Sequence, residues 1–196
     1  MKKDCSVIIL AAGKSTRIKQ PKFLLKMHNG ISFLESIAQQ YAESGCENIV
    51  VILNNESVEL IKPKQLNLPS QTQIIINNYP EHGRFHSLKL GLAEIKTGTT
   101  FIHNVDNPIS DRTYLELIYV NNAKADVIKP VNNGKGGHPI LISHKVVRCI
   151  LDKKTYDIDF REFLNRFSTY EVEVDDKAIL LNINTEDDYR NFIKNY

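Results

Sequence analysis

The sequence predicts an α/β domain spanning residues 1–196, with a mostly parallel sheet and helices on both faces. Three observations lead there. Cys5 to Ala11 is a nearly continuous apolar run leading into Gly13, the pattern of a central strand buried on both faces. Further apolar runs alternate with segments of helical period, as βα units do. A length of 196 residues, with 42% hydrophobic and 24% charged side chains, suits one globular domain at roughly 150 residues each.

The elements follow in order. Ser32 to Glu43 carries apolar residues at helical spacing and stops before Gly45, a C-terminal signal. Asn48 to Leu53 reads as a second buried strand, Gln73 to Ile76 as a third, and Ser87 to Ile95 as a helix. Thr99 to Asn104 is a fourth strand, with a helix over Arg112 to Asn121. Asp126 to Val131 and Pro139 to Ile142 are strand-like, separated by the glycine-rich stretch Asn132 to Gly137. Phe160 to Phe167 is helical, Tyr170 to Val174 alternates like an exposed strand, and Ala178 to Ile183 reads as another apolar strand. Thr185 caps a last helix running to Tyr196. There is no internal repeat and no low-complexity linker.

Charge and composition exclude several classes. With 25 basic and 23 acidic side chains the formal charge is +2, so no large basic field points to nucleic acid. No apolar run approaches the roughly 18 residues of a membrane span. The N-terminus begins like a secretion signal, but its apolar stretch is a short strand followed by a polar glycine loop. Cys5, Cys46 and Cys149 are odd in number and scattered, as reduced thiols of a cytoplasmic protein are.

In parallel α/β sheets ligands bind beyond the carboxyl ends of the strands. The first strand runs into Leu10-Ala11-Ala12-Gly13-Lys14-Ser15-Thr16-Arg17, and Pro21-Lys22 follows. Small residues let backbone N–H groups approach phosphate oxygens, while Lys and Arg neutralise their charge. A Walker A loop would need glycine where Ile8 stands, and of a GxGxxG fingerprint only one glycine is present. An ordinary strand-to-helix turn with solvated cations suits the same residues.

The whole segment LAAGKSTRIKQPKFLL resembles the LAAGxSxRMGxxKxLL signature of small nucleotidyltransferases, and most of all that of the molybdenum cofactor cytidylyltransferase group. The resemblance implies a Rossmann-like nucleotidyltransferase fold whose first loop wraps a nucleoside triphosphate. It places Leu10, Ala11, Ala12, Gly13 and Ser15 against the nucleotide and Arg17 and Lys22 against phosphates. Members with LAAG tend to take CTP and those with LAGG tend to take GTP, so this loop implies CTP. The chain departs from the signature at Ile18-Lys19, where the family has Met-Gly, and by one added residue before Lys22. Pro21-Lys22 itself resembles the Pro-Lys end of the broader sugar-nucleotidyltransferase signature.

Further matches follow in family order. Asn77 to Leu88 resembles N-P-x-W-x-x-G-M-S-x-S-L, matching at Asn77, Gly83, Ser87 and Leu88 and departing at Arg84 and His86. Asn77 and Ser87 are thereby expected at the nucleotide; a plain helix cap is the other role open to Ser87. Val105-Asp106-Asn107-Pro108 resembles G-D-Q-P, which makes Asp106 a Mg²⁺ ligand, the alternative being a cap for a helix starting near Ser110. Leu181 to Asp187 resembles N-[IV]-N-T-P-E-D, with Asn184 as the second metal ligand ahead of Asn182 and Asp188 at capping-box distance from Thr185. Gly137-His138-Pro139-Ile140-Leu141 resembles the G-H-P-V-L near the acceptor. Tyr156 to Arg161 stands where the family has G-D-x-G-A-R, keeping Asp157 and Arg161 but neither glycine. His138, Asp157 and Arg161 are the expected acceptor-binding residues; a structural histidine and a helix-surface arginine are the other readings. Asn54, ending the second strand, either contacts base or ribose or sits in an Asn-Asn turn. His28, His82, His103 and His144 lack metal spacing and receive no catalytic role.

The resemblance thus implies a Mg²⁺-dependent transfer of CMP from CTP to a phosphorylated small-molecule acceptor, with release of pyrophosphate. Lys22, Arg17 and Asp106 carry the catalysis. The acceptor is molybdopterin-like, or a sugar, polyol or amino-alcohol phosphate. Neither nucleic acid nor membrane is a partner, and a monomer or small homo-oligomer is expected. Two other classes compete: a nicotinamide-dependent oxidoreductase, which lacks its glycine fingerprint, and a non-catalytic nucleotide-binding accessory protein, which the missing glycines near Asp157 keep open.

Overall fold

The computed structural model describes residues 3–13, 15, 17–18, 20–61, 66–95, 98–108 and 112–195. Lys14, Thr16, Ser110 and Tyr196, named above, lie outside them. Strand β1 (Lys3–Leu10) is central: Cys5 and Val7 to Ile9 are wholly buried, as their apolar side chains require. It pairs in parallel with β2 (Cys46–Asn54) on one side and β4 (Thr99–Asn104) on the other, with Leu10 level with Ile52 and Asn104. β3 (Thr72–Asn77) lies beyond β2, its Asn77 level with Asn54. Beyond β4 comes β7 (Ile140–Ser143), which runs antiparallel, and then β5 (Val127–Asn132). β5 also pairs with the short β6 (Lys135–Gly136), antiparallel, and with β8 (Thr169–Glu173), parallel. Asn133 and Gly134 join β5 to β6 with φ of 50° and 73°, the left-handed pair that a two-residue hairpin needs.

Alternation along β1 sends side chains to two cores. Val7 and Ile9 join α1 (Phe33–Glu43), α4 (Thr113–Val120) and Phe192 of α7 (Glu186–Asn195). Ile8 faces the other way, into α3 (Gly83–Leu92), α5 (His144–Leu151) and α6 (Phe160–Leu164). Each large apolar side chain fully buried this way stabilises by about 1.5–3 kcal/mol. α1 starts at a capping box, in which Ser32 Oγ accepts from the Glu35 N–H at 3.2 Å and a Glu35 oxygen from the Ser32 N–H at 2.8 Å. Gly45, with φ of 89°, ends its C-terminal turn. No helix among the described residues is long and apolar enough to cross a membrane.

The structure departs from the sequence reading in four places. Residues 178–183 form no strand: a 3₁₀ turn spans Lys177–Leu180, started by Asp176, whose carboxylate accepts from the Ala178 N–H at 2.8 Å. Ala178, Ile179 and Ile183 are buried there, so the apolar run reported burial and not an extended backbone. β7 is antiparallel. α5 and α2 (Asn55–Ile61) were not foreseen; α5 is capped by the Ser143 hydroxyl and buries Val146, Val147 and Ile150 on one face. α3 starts at Gly83, one turn earlier than expected, so Ser87 sits inside the helix and does not cap it.

Candidate active site

Register places the ends of β1, β3 and β4 together, and the segments after them meet in a cleft of about 380 Å³. The loop after β1 continues the ladder briefly, the Ala11 N–H donating to the Ile52 carbonyl at 3.0 Å. Asn54 then fixes it from below: its amide nitrogen donates to the Ala12 carbonyl at 3.0 Å, and its oxygen accepts from the Ser57 N–H at 2.8 Å. Asn54 is buried, its side chain used to hold the loop and to begin α2. A Cβ on Gly13 would meet nothing within 4 Å, so this backbone is open to the cleft.

Lys22 begins a 3₁₀ turn over Lys22–Leu24 after Pro21, and the burial of Phe23, Leu24 and Leu25 anchors it. Its N–H donates to Ser15 Oγ at 3.3 Å, tying the two ends of the loop. Its side chain is only 15% exposed, and Nζ donates to Asp106 Oδ2 at 2.9 Å and to Asn184 Oδ1 at 2.8 Å. Arg17 Nη2 reaches the same Asn184 oxygen at 3.4 Å. Four residues singled out from the sequence thus form one cluster.

The surrounding backbone holds each member. Asp106 follows β4 directly, with the Val105 N–H donating to the Leu10 carbonyl at 3.1 Å. Asn184 enters α7, where Asp188 accepts from the N–H groups of Asn184 and Thr185 at 3.0 and 2.9 Å, and Thr185 Oγ1 accepts from the Asp188 N–H at 3.1 Å. These bonds hold the Asp188 carboxyl below its ordinary range. The Ile183 N–H donates to the Asp106 carbonyl at 2.8 Å, which binds the two segments together.

Asn107 and His103 were not expected here and turn out to position Asp106. The Asn107 amide donates to the Leu181 carbonyl at 2.5 Å. His103 Nε2 lies 2.7 Å from the Asn107 carbonyl, which can only accept, so Nε2 carries the proton and Nδ1 accepts from the Tyr41 hydroxyl at 2.9 Å. Full burial holds His103 neutral, its pKa down to about 4. The Asn-Pro that follows Asp106 was the sequence signal for this turn.

Asp106 Oδ1 is buried without a hydrogen-bond partner among the described residues. One ammonium already touches Asp106 Oδ2 and Asn184 Oδ1, so one cation can be served by both residues. Oxygen-only donors suit a hard divalent cation. Among the described residues no group of three or more His, Cys, Asp or Glu could hold a metal, so phosphate oxygens and water would complete this pair.

Asn77 is wholly buried, its amide donating to Ser87 Oγ at 2.9 Å and its oxygen accepting from the Tyr79 N–H at 2.8 Å. It positions Ser87, which lines the cleft. A second cavity of about 680 Å³ shares Gly83 and Arg84 with the cleft and contains Asp157 and Arg161. Tyr79 stacks on His82 and His82 on Tyr156, with centroids 5.3 and 5.1 Å apart, joining the loop before α3 to the loop that carries Asp157. His138 lines neither cavity. Its Nδ1 is buried without a partner among the described residues, and burial together with the Arg84 charge lowers its pKa to about 4 against the pull of Asp106.

The sequence profile of the MobA-like NTP transferase domain matches residues 7–169. The chain belongs to this family. It is a nucleotidyltransferase, and the Lys22–Asp106–Asn184 cluster lies beyond the carboxyl ends of the strands, where such sheets bind ligands. Molybdenum cofactor cytidylyltransferase of Escherichia coli (strain K12) is 29% identical over 189 residues, covering 95% of this chain and 93% of that protein. Among solved structures, Rv0371c of Mycobacterium tuberculosis H37Rv in complex with manganese superposes with a TM-score of 0.80 at 19% identity, covering 98% of this chain and 99% of the other. HddC of Yersinia pseudotuberculosis, complexed with GMP-PN, superposes with a TM-score of 0.70 at 18% identity, over 96% and 98% of the two chains. These two structures share the fold. In this nucleotidyltransferase the oxidoreductase alternative is excluded by family membership.

Proposed function

We propose that the protein, with residues 1–196 acting as one catalytic domain, transfers CMP from CTP to a phosphorylated small-molecule acceptor and releases pyrophosphate. The observation that carries this reading is the contact of Lys22 Nζ with both Asp106 and Asn184 beside the open loop at Gly13. Asp106 and Asn184 would hold Mg²⁺, which supplies neutralisation of phosphate charge. The manganese complex of the Rv0371c structure supports a divalent cation in this fold.

In the transfer an acceptor phosphate oxygen forms a bond to the α-phosphorus. The bond from that phosphorus to the oxygen bridging to the β-phosphate breaks, and pyrophosphate leaves with the electron pair. No covalent enzyme intermediate is needed, so the chain's task is to align two polyanions. Backbone N–H groups around Gly13 and the Arg17 guanidinium hold the leaving pyrophosphate, while Lys22 meets the charge at the α-phosphate. Asn54 and Asn77 keep the loop and Ser87 in place from the buried side. Asp157 and Arg161 bind the acceptor in the second cavity. The LAAG loop and the activity named for the Escherichia coli relative support CTP and a molybdopterin-like acceptor. The missing glycines around Asp157 favour a second acceptor class, a sugar, polyol or amino-alcohol phosphate. A cytoplasmic monomer or small homo-oligomer is the proposed working form.

Thermal-shift melting with CTP, GTP, UTP and ATP, each with and without Mg²⁺, tests the reading, since a ligand of the native state raises the melting point. A Mg²⁺-dependent rise largest for CTP, followed by pyrophosphate release with one acceptor class, is expected. Preference for another nucleotide discards CTP. A shift without pyrophosphate release from any acceptor favours the accessory protein, and no shift with any of the four at millimolar concentration overturns the proposal.

A further inference from the structure

Arg84 separates the cleft from the second cavity and lines both. Its side chain is exposed to solvent. Among the described residues the guanidinium has neither a hydrogen-bond nor an ion-pair partner; it lies over the Phe160 ring, whose centroid is 5.5 Å away. Lys22, by contrast, is already engaged by Asp106 and Asn184. The carboxylates of Asp106 and Asp159 act on Arg84 through space only, and Asp159 is occupied as the cap of α6. An unpaired guanidinium at a concave wall is a receptor for a planar or tetrahedral anion.

Resting on the transfer proposed above, we infer that Arg84 binds the attacking phosphate of the acceptor and selects a phosphate monoester as the second substrate. If the nucleotide fills the cleft and the acceptor body fills the second cavity, the attacking phosphate must lie at the wall between them. Arg84 stands there, and its two-pronged fork can hold two non-bridging oxygens while the third faces the α-phosphorus. Lysine at this position would keep the charge and lose the fork. The sequence carries the signal: Arg84 occupies a position where the family signature has methionine.

The test loads the protein with α,β-methylene-CTP and Mg²⁺, which cannot react, and then titrates inorganic phosphate and glycerol 3-phosphate by calorimetry. Wild type is expected to bind both. Arg84→Gln should weaken that binding at least about tenfold, the scale of a lost charge-assisted hydrogen bond, and leave the affinity for the nucleotide analogue within about twofold. Arg84→Lys should fall between them. Unchanged phosphate binding in Arg84→Gln, a parallel loss of nucleotide affinity, or no phosphate binding by wild type overturns the assignment. Failure of wild type to bind the nucleotide analogue, read in the first titration, overturns the transfer reading and this assignment with it.

Discussion

Lys22 Nζ lies 2.9 Å from Asp106 Oδ2 across 84 residues of chain, and the pair closes the floor of the cleft where β1 and β4 end side by side. Both side chains are largely shielded from solvent, at 15% and 21% exposure, so water screens their charges less than at the open surface. Such pre-positioned charge is worth most when phosphate charge shifts in the reaction. Lys22→Ala and Asp106→Ala are each expected to lower the rate of pyrophosphate release by about 10²-fold or more. Variants that melt like wild type and keep near-normal rates would sink the assignment of this pair.

Asn184 meets the same ammonium through a neutral oxygen. As a metal ligand it contributes a dipole and no net charge, so its loss should weaken the cation site without abolishing it. Asn184→Ala is expected to raise the Mg²⁺ concentration for half-maximal activity several-fold, about 1 kcal/mol of lost coordination. Asn184→Asp, which adds a charge, should lower it. A Mg²⁺ titration of pyrophosphate release checks both, and identical midpoints in the three proteins would remove Asn184 from the site.

Much of this arrangement was legible in the sequence. The apolar run from Cys5 to Ile9 announced a buried central strand, and apolar residues at helical spacing from Ser32 to Glu43, ahead of Gly45, announced a helix. Lys22, Asp106 and Asn184 could be named because the segments that carry them resemble the signatures of small nucleotidyltransferases. The inward commitments of Asn54 and Asn77 could not be read. Where a side chain points at a strand end depends on the register of the neighbouring strand, which composition does not carry. Residues 178–183 misled for a related reason, because an apolar run reports burial whether the backbone is extended or turned. The grip of Asn107 on the Leu181 carbonyl was equally hidden, since it joins distant segments.

His103 makes stability depend on pH. Burial lowers its pKa from the ordinary 6.5 to about 4, so the folded chain binds this proton less readily than the unfolded one. Its stabilising contribution is complete above pH 6.5 and is lost as pH falls from 6.5 toward 4. For one such histidine the free energy of unfolding should be about 2 kcal/mol smaller at pH 5 than at pH 7.5. Urea unfolding at the two pH values reads this loss together with that of His138, whose pKa is lowered as far, and NMR should find the His103 ring neutral at pH 5. A ring that titrates near 6.5 in the folded protein would contradict the proposed tautomer and its hydrogen bond to Asn107.

Gly137 couples stability to the site. A Cβ built on it would stand 2.5 Å from the Ile179 carbonyl oxygen and 2.8 Å from Ile179 Cβ, closer than real contacts allow. The obstacle is backbone, so it cannot turn aside as a flexible side chain can. The 178–183 segment is held on several sides: the His138 N–H donates to the Ile179 carbonyl at 2.9 Å, the Asn107 amide donates to the Leu181 carbonyl, and the Ile183 N–H donates to the Asp106 carbonyl. Relief of the clash must therefore move a segment that ends at Asn184, Lys22's partner. Gly137→Ala is expected to cost about 1–3 kcal/mol, the range of overpacked core positions, and to raise the Mg²⁺ requirement together with the loss of stability. Gly134→Ala serves as the comparison: its Cβ would meet nothing within 4 Å, so the φ of 73° is its only penalty and the Mg²⁺ midpoint should stay in place. If Gly137→Ala loses stability while its Mg²⁺ midpoint stays at the wild-type value, the 178–183 segment does not position Asn184.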